Sequence, residues 1–214
     1  MDVVRRLPLF RQSFAQVELY RDAWTAANEA ARAEVGPLWV VLGDSAAQGV
    51  GATAHDRGYV GLVLGRLRAT GQPWQVLNLS RSGARTREVV DVQWPAAAGL
   101  GADLITAVIG GNDALRSKED DWRRAVEDLC AALPAGAVVS TTARGVFERK
   151  TARVNAVVRS CADEHGLRVA DLWAHTGPPY RGLYADGFHP NDRGYVQWAD
   201  ALWQALSQDV PDVV

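Results

Sequence analysis

The sequence predicts an α/β fold in which a parallel sheet of about five strands carries helices on both faces. Two observations predict it: short apolar runs recur along the chain, and longer segments of helical periodicity separate them. The first run, Leu38-Trp39-Val40-Val41-Leu42, is apolar throughout and ends in Gly43, as a strand covered on both faces would be. Similar runs follow at Trp74–Leu79, Leu104–Ile109, Ala137–Ser140 and Leu167–Leu172. Between them lie helix patterns. Trp122, Val126, Leu129 and Leu133 form one stripe, and Val154, Val157, Val158 and Cys161 form another that puts this cysteine on a buried face. Tyr195, Trp198, Leu202 and Leu206 mark the last helix.

Nothing in the sequence divides this pattern. The expected organisation is an N-terminal helical extension over residues 1–36 followed by one domain over residues 37–214. In the extension, Phe10, Phe14, Val17, Tyr20 and Trp24 fall near one face of a helix. A helix packed on the domain surface, a lid, a dimer contact and a membrane-surface helix all suit that pattern.

Composition narrows the class of function. With 214 residues, 48% of them apolar and 22% charged, the chain reads as an ordinary soluble globular protein with a sizeable core. A formal net charge of −2, with arginines interleaved among acids, argues against a nucleic-acid partner. The N-terminal stretch Met1–Pro8 lacks the apolar core of a secretory signal, and no run is long enough to span a bilayer. Cys130 and Cys161 match no metal-ligand spacing and read as reduced thiols on helix faces, which points to a cytoplasmic protein. In such a compartment Asn78-Leu79-Ser80 carries no glycan and serves to close a strand. His55, His165 and His175 share no ligand spacing, so no metal and no other cofactor is expected. Gly49-Val50-Gly51 is too short for a dinucleotide fingerprint.

In open parallel sheets, ligands bind outside the carboxyl ends of the strands, and polar glycine-rich segments follow the apolar runs there. Gly43-Asp44-Ser45-Ala46-Ala47-Gln48-Gly49 follows the first. A serine there sits near a helix N-terminus, either as a nucleophile or as a helix cap. Asn78-Leu79-Ser80-Arg81-Ser82-Gly83-Ala84 follows the second, and Gly83 can offer an unobstructed N–H or simply make a turn. Ile109-Gly110-Gly111-Asn112-Asp113 follows the third and offers a side-chain amide. Asp186-Gly187-Phe188-His189-Pro190-Asn191 precedes the last helix. A carboxylate three residues before a histidine can hold one ring nitrogen and leave the other as a base, although a capping Asp beside a surface His looks the same. Each segment is ambiguous alone. Together they supply a nucleophile, a base, an orienting acid and oxyanion donors, the parts that ester cleavage by serine requires.

The blocks Gly43-Asp44-Ser45, Gly83, Gly110-Gly111-Asn112-Asp113 and Asp186-Gly187-Phe188-His189-Pro190-Asn191 resemble, in order, those of the SGNH/GDSL hydrolase superfamily. The resemblance spans roughly Leu38 to Leu206. It implies a three-layer α/β/α sandwich of flavodoxin-like type and a GDSL-type esterase or lipase acting on small-molecule esters. It also implies roles: Ser45 as nucleophile, His189 as base and Asp186 as its partner, with an oxyanion hole made of the Ser45 and Gly83 N–H groups and the Asn112 amide. Asp44 is the rival for the acid, and bracing of the nucleophile loop is its other reading. Ala46 stands where the family often has Leu, a change in the shape of the pocket rather than in the chemistry. No Gly-x-Ser-x-Gly elbow surrounds any serine, against the separate α/β-hydrolase fold.

The substrate is less legible. Arg81, Arg85, Arg87, Arg181 and Tyr184 flank the site segments and either line the pocket or stand solvated on the surface. A short-acyl esterase, an acyltransferase, a carbohydrate or thioester deacylase, and a non-catalytic binding protein all fit the same residues.

Overall fold

The computed structural model describes residues 8–145 and 147–207, with side chains from residue 13 onward. The N-terminal stretch before Pro8 and the side chain of Phe10 therefore lie outside the described residues.

Five strands form one parallel sheet: β1 (Leu38–Gly43), β2 (Gln75–Asn78), β3 (Leu104–Val108), β4 (Val138–Ser140) and β5 (Arg168–Ala170). Their order is β2-β1-β3-β4-β5, every pairing parallel. The order reverses between β1 and β3, and at such a point two successive connections diverge and leave a crevice at the carboxyl edge.

Strand β1 shows why helices cover both faces. Successive side chains of a strand point to opposite sides. Trp39 and Val41 enter one core cluster, with Tyr59, Val63 and Leu67 of α2 (Tyr59–Ala69) and Tyr195 and Leu202 of α7 (Asp192–Ser207). Val40 and Leu42 enter the other. They meet Val89 of the helical segment 86–97 (α3), Trp122 and Leu129 of α5 (Glu119–Ala132), and Val154 and Val158 of α6 (Glu148–Glu164). The result is the expected three-layer sandwich. Helix α5 begins Glu119-Asp120-Asp121, three carboxylates in the first turn where the helix dipole favours negative charge.

The helix stripes read from the sequence appear, although Val157, Cys161 and Trp198 are half-buried rather than fully buried. Trp198 is only half-buried and borders the cavity described below. Cys161 is half-buried as well, and it and the buried Cys130 are free thiols on the neighbouring helices α5 and α6, although the two lie far apart in sequence.

The first helix, α1 (Pro8–Ala33), departs most from expectation. Phe14, predicted to face inward, is 39% exposed, whereas the buried positions are Ser13, Gln16, Tyr20, Trp24 and Ala31. The inward face is rotated towards polar residues. Trp24 joins one core cluster and Ala31 the other, so the helix lies across the edge of the sheet. Its Asn28 amide donates to the Asn78 carbonyl at 2.9 Å and accepts from the Asn78 N–H at 2.8 Å. It thereby covers backbone groups that the edge strand β2 would otherwise leave open. No helix among the described residues is long and apolar enough to cross a membrane.

Candidate active site

The chain leaves β1 into a series of tight turns, not into the helix predicted beside Ser45; α2 begins only at Tyr59. Local bonds explain the curl. The Ala46 N–H donates to Asp44 Oδ1 at 2.9 Å, and the Val50 N–H donates to the Ser45 carbonyl at 3.0 Å. Gly51 then passes with φ +99°, where a Cβ would stand 2.4 Å from the Pro190 carbonyl oxygen and 2.8 Å from His189 Cβ. Only a glycine lets the serine loop pack this closely on the histidine loop. No helix dipole therefore stands behind the Ser45 N–H.

Four segments far apart in sequence converge here. Ser45 Oγ lies 3.0 Å from His189 Nε2, and His189 Nδ1 lies 2.7 Å from Asp186 Oδ2. The backbone N–H groups of Phe188 and His189 both donate to Asp186 Oδ1, at 3.0 and 2.7 Å, so the loop is wound around its own carboxylate. The Phe188 ring meets the imidazole edge-on at 5.0 Å between centroids.

Burial alone would raise the pKa of Asp186. The hydrogen bond from His189, the nearby imidazole charge, the Ser13 hydroxyl and the His189 N–H outweigh it and hold the carboxyl well below its usual range. Asp186 is therefore a fixed anion, and its contact orients the ring so that Nε2 faces the serine.

Asp44 lies on the opposite loop and does not contact His189 by hydrogen bond. Its second oxygen accepts from the Asn112 amide at 3.2 Å, and the same Nδ2 donates to the Ala84 carbonyl at 3.1 Å. Asn112 thus ties together the loops after β1, β2 and β3. It is presented from the first turn of α4 (Gly111–Arg116), and Gly110 makes the turn into it with φ +123°. A Cβ on Gly110 would lie 2.3 Å from Thr142 Oγ1. Asp113, the last residue of that block, points elsewhere: it accepts from the Thr86 N–H and hydroxyl at 2.8 and 2.9 Å and steadies the start of α3.

Gly83 is exposed on the turn after β2, and its N–H, like that of Ser45, donates to no acceptor among the described residues. Both groups remain for a ligand. Asn78, read as closing a strand, ends β2 with its side chain donating to the Ala47 carbonyl at 2.7 Å.

Ser45 and His189 open onto a cavity of about 490 Å³. Its walls are largely apolar, with Ala46, Ile109, Leu172, Phe188 and Trp198 among them. Arg181 and Tyr184 line it, as one of the two sequence readings allowed. Arg81 and Arg87 instead pair with surface carboxylates, Glu88 for the first and Asp91 and Asp128 for the second. Three contributors carried no sequence signal that singles them out. Arg144 borders the cavity with its guanidinium 4.8 Å from the Trp173 ring, and Ser140 Oγ is buried at the end of β4 with no hydrogen-bond partner among the described residues. Ser13 reaches Asp186 from α1. Among the described residues no cluster of three or more His, Cys, Asp or Glu side chains could hold a metal ion.

Residues 41–197 match the GDSL-like Lipase/Acylhydrolase family, which takes in all five strands bar the start of β1, the serine loop and the histidine loop. The chain belongs to this family. GDSL hydrolases cleave esters, and that general activity is the one the membership assigns to this chain. Solved structures of similar fold include TesA, at 22% identity over 79% of this chain and 97% of its own with a TM-score of 0.68. Another is the acetylxylan esterase Axe2 of Geobacillus stearothermophilus, at 21% identity over 82% and 96% with a TM-score of 0.68. A third is an alpha/beta hydrolase from the metagenome of Lake Arreo, Spain, at 21% identity over 80% and 95% with a TM-score of 0.67. At these identities the likeness is one of fold. No curated protein matches the sequence. Helix α1 lies wholly outside the family match.

Proposed function

We propose that this GDSL hydrolase cleaves carboxylic esters of small or short-acyl substrates through an acyl-enzyme on Ser45. The observation that carries the reading is the unbroken chain of contacts from Ser45 Oγ through His189 to Asp186, ending at the cavity. With Nδ1 protonated towards Asp186, Nε2 takes the Ser45 proton as Oγ attacks the ester carbonyl carbon. The carbonyl oxygen becomes an anion held by the Ser45 and Gly83 N–H groups and the Asn112 amide. The C–O bond to the alcohol then breaks, and His189 returns the proton to the departing oxygen. Water repeats the sequence on the acyl-enzyme: His189 takes its proton, the hydroxide adds, and the acid leaves as Oγ recovers its hydrogen.

Size and lining support the substrate class. A cavity of about 490 Å³ falls within the usual range for small-molecule sites, and its apolar wall suits an acyl group.

A panel of p-nitrophenyl esters of graded acyl length, with Ser45→Ala as control, tests the proposal. Turnover should be greatest for the shorter chains and vanish in Ser45→Ala, together with labelling by a fluorophosphonate. Labelling that persists in Ser45→Ala would assign the nucleophile elsewhere.

A further inference from the structure

We propose that Ser13, on the helix outside the family match, is a positioning residue for the Asp186–His189 pair, and that α1 is a strut spanning both loops of the active site. This rests on the catalytic reading of Ser45, His189 and Asp186 given above.

Four donors reach the Asp186 carboxylate. Three come from its own loop and travel with it wherever the loop goes. The fourth is the Ser13 hydroxyl at 2.5 Å, from a residue 173 positions away and only 4% exposed. It binds Oδ2, the oxygen that also accepts from His189 Nδ1. The loop's backbone N–H groups fix only Oδ1, so Oδ2 and the imidazole bonded to it could still tilt together. Ser13 removes that freedom from outside, and the imidazole it orients must keep Nε2 within reach of Ser45 Oγ.

The rest of the helix fixes where Ser13 stands. At successive turns the buried face of α1 bonds to the backbone of the serine loop. Gln16 donates to the Ala52 carbonyl at 2.8 Å and accepts from the Gly51 N–H at 2.9 Å. The Tyr20 hydroxyl donates to the same carbonyl at 2.9 Å, and Trp24 Nε1 donates to the Gln48 carbonyl at 3.1 Å. Asn28 closes the row on β2. The helix therefore grips the Ser45 side of the gap with Gln16, Tyr20 and Trp24 and the His189 side with Ser13. The polar identity of Ser13 and Gln16 at buried positions follows from this. A helix that only covered the sheet would bury apolar residues there, since an unsatisfied buried polar group is costly. On this proposal the boundary at residue 36 divides the sequence but not the site.

The test is a double-mutant cycle of Ser13→Ala with Asp186→Asn, read with the short-acyl ester. Ser13→Ala should lower kcat roughly 10-fold at unchanged KM, the effect of one hydrogen bond to a charged group. The same substitution in the Asp186→Asn background should change kcat little, because its effect runs through the carboxylate. The downfield proton resonance of His189 Nδ1–H should move in Ser13→Ala. Wild-type kcat, an equal loss in both backgrounds, or a rise in KM alone would overturn the proposal. Turnover surviving in Ser45→Ala would instead overturn the catalytic reading, and the His189 resonance would still report whether Ser13 acts on Asp186.

Discussion

Two loops face each other across the Ser45–His189 contact, and each buries one carboxylate. Asp44 is 6% exposed and Asp186 is 2% exposed, so loss of water penalises the charged form of both. They nevertheless move in opposite directions. Asp44 is pushed up to about 6 by burial, against the Ala46 N–H, the nearby His189 and the Asn112 amide, with Asp113 adding repulsion. Asp186 falls well below the ordinary value because four donors, one of them the imidazole itself, more than compensate its burial. What separates the two is the number and charge of the donors around them, and not the depth of burial. A carboxylate wrapped by its own loop stays ionised and can orient a base; one shared between two loops, through the Ala46 N–H and the Asn112 amide, serves as a tether.

Exchanging each for its amide should expose that difference most strongly. Asp186→Asn presents an N–H or a neutral oxygen to His189 Nδ1 and disfavours the tautomer with a free Nε2. Turnover should fall on the order of 10⁴-fold, as orienting-aspartate exchanges do. Asp44→Asn should cost on the order of 10-fold at most, through the loss of one acceptor on the nucleophile loop. Steady-state kcat of both variants, with circular dichroism to show that they fold, makes the comparison. Equal losses would mean that Asp44 shares the orienting role and that the contrast between the loops is false.

Asn112 links the two sides and comes next in size. Its amide binds Asp44 and the Ala84 carbonyl at rest, at 3.2 and 3.1 Å, both at the long end for such bonds. Long bonds are readily exchanged for a shorter one to a developing oxyanion. Asn112→Ala should lower kcat on the order of 10²–10³-fold, the usual effect of removing one oxyanion donor. It should also push Asp44 higher still by taking away a donor. A variant with near-normal kcat would remove Asn112 from the hole and leave it a loop tie only.

How much of this was legible beforehand differs between the same regions. All five strands and the sandwich could be read, because a doubly covered parallel strand must be apolar at every position, as Leu38–Leu42 is. The segments that converge beside Ser45 could be read too, since Gly43-Asp44-Ser45 and Gly110-Gly111-Asn112 follow apolar runs and the Asp186–His189 loop precedes the last helix. The expected helix behind Ser45 was wrong. Apolar periodicity cannot see that Gly49, Gly51 and the Asp44 carboxylate turn the chain away from helical geometry. The face of α1 was read correctly at Tyr20 and Trp24 but not at Phe14. Its inward side is also selected by hydrogen bonds to loop backbone, so Ser13 and Gln16 are buried while Phe14 is exposed, which an apolar count does not reveal.

The smallest expected effect concerns stability, and it reads the Asp44 side of the comparison directly. A carboxyl raised from its ordinary 3.8 to about 6 in the folded protein binds a proton there that the unfolded chain has already released. Its contribution to stability is therefore most favourable below the unfolded value and is lost as pH rises through the folded one. Above about pH 6 the folded state carries the full cost of a buried, underdonated charge. Asp44→Asn removes that cost and loses part of one hydrogen bond, so the variant should gain on the order of 1 kcal/mol near neutral pH. Near pH 4.5, where the wild-type carboxyl is already protonated when folded, the gain should disappear. Thermal melts of both proteins at the two pH values measure it. A difference in Tm that stays the same at both would show that Asp44 titrates like an exposed acid, and the two loops would then be alike.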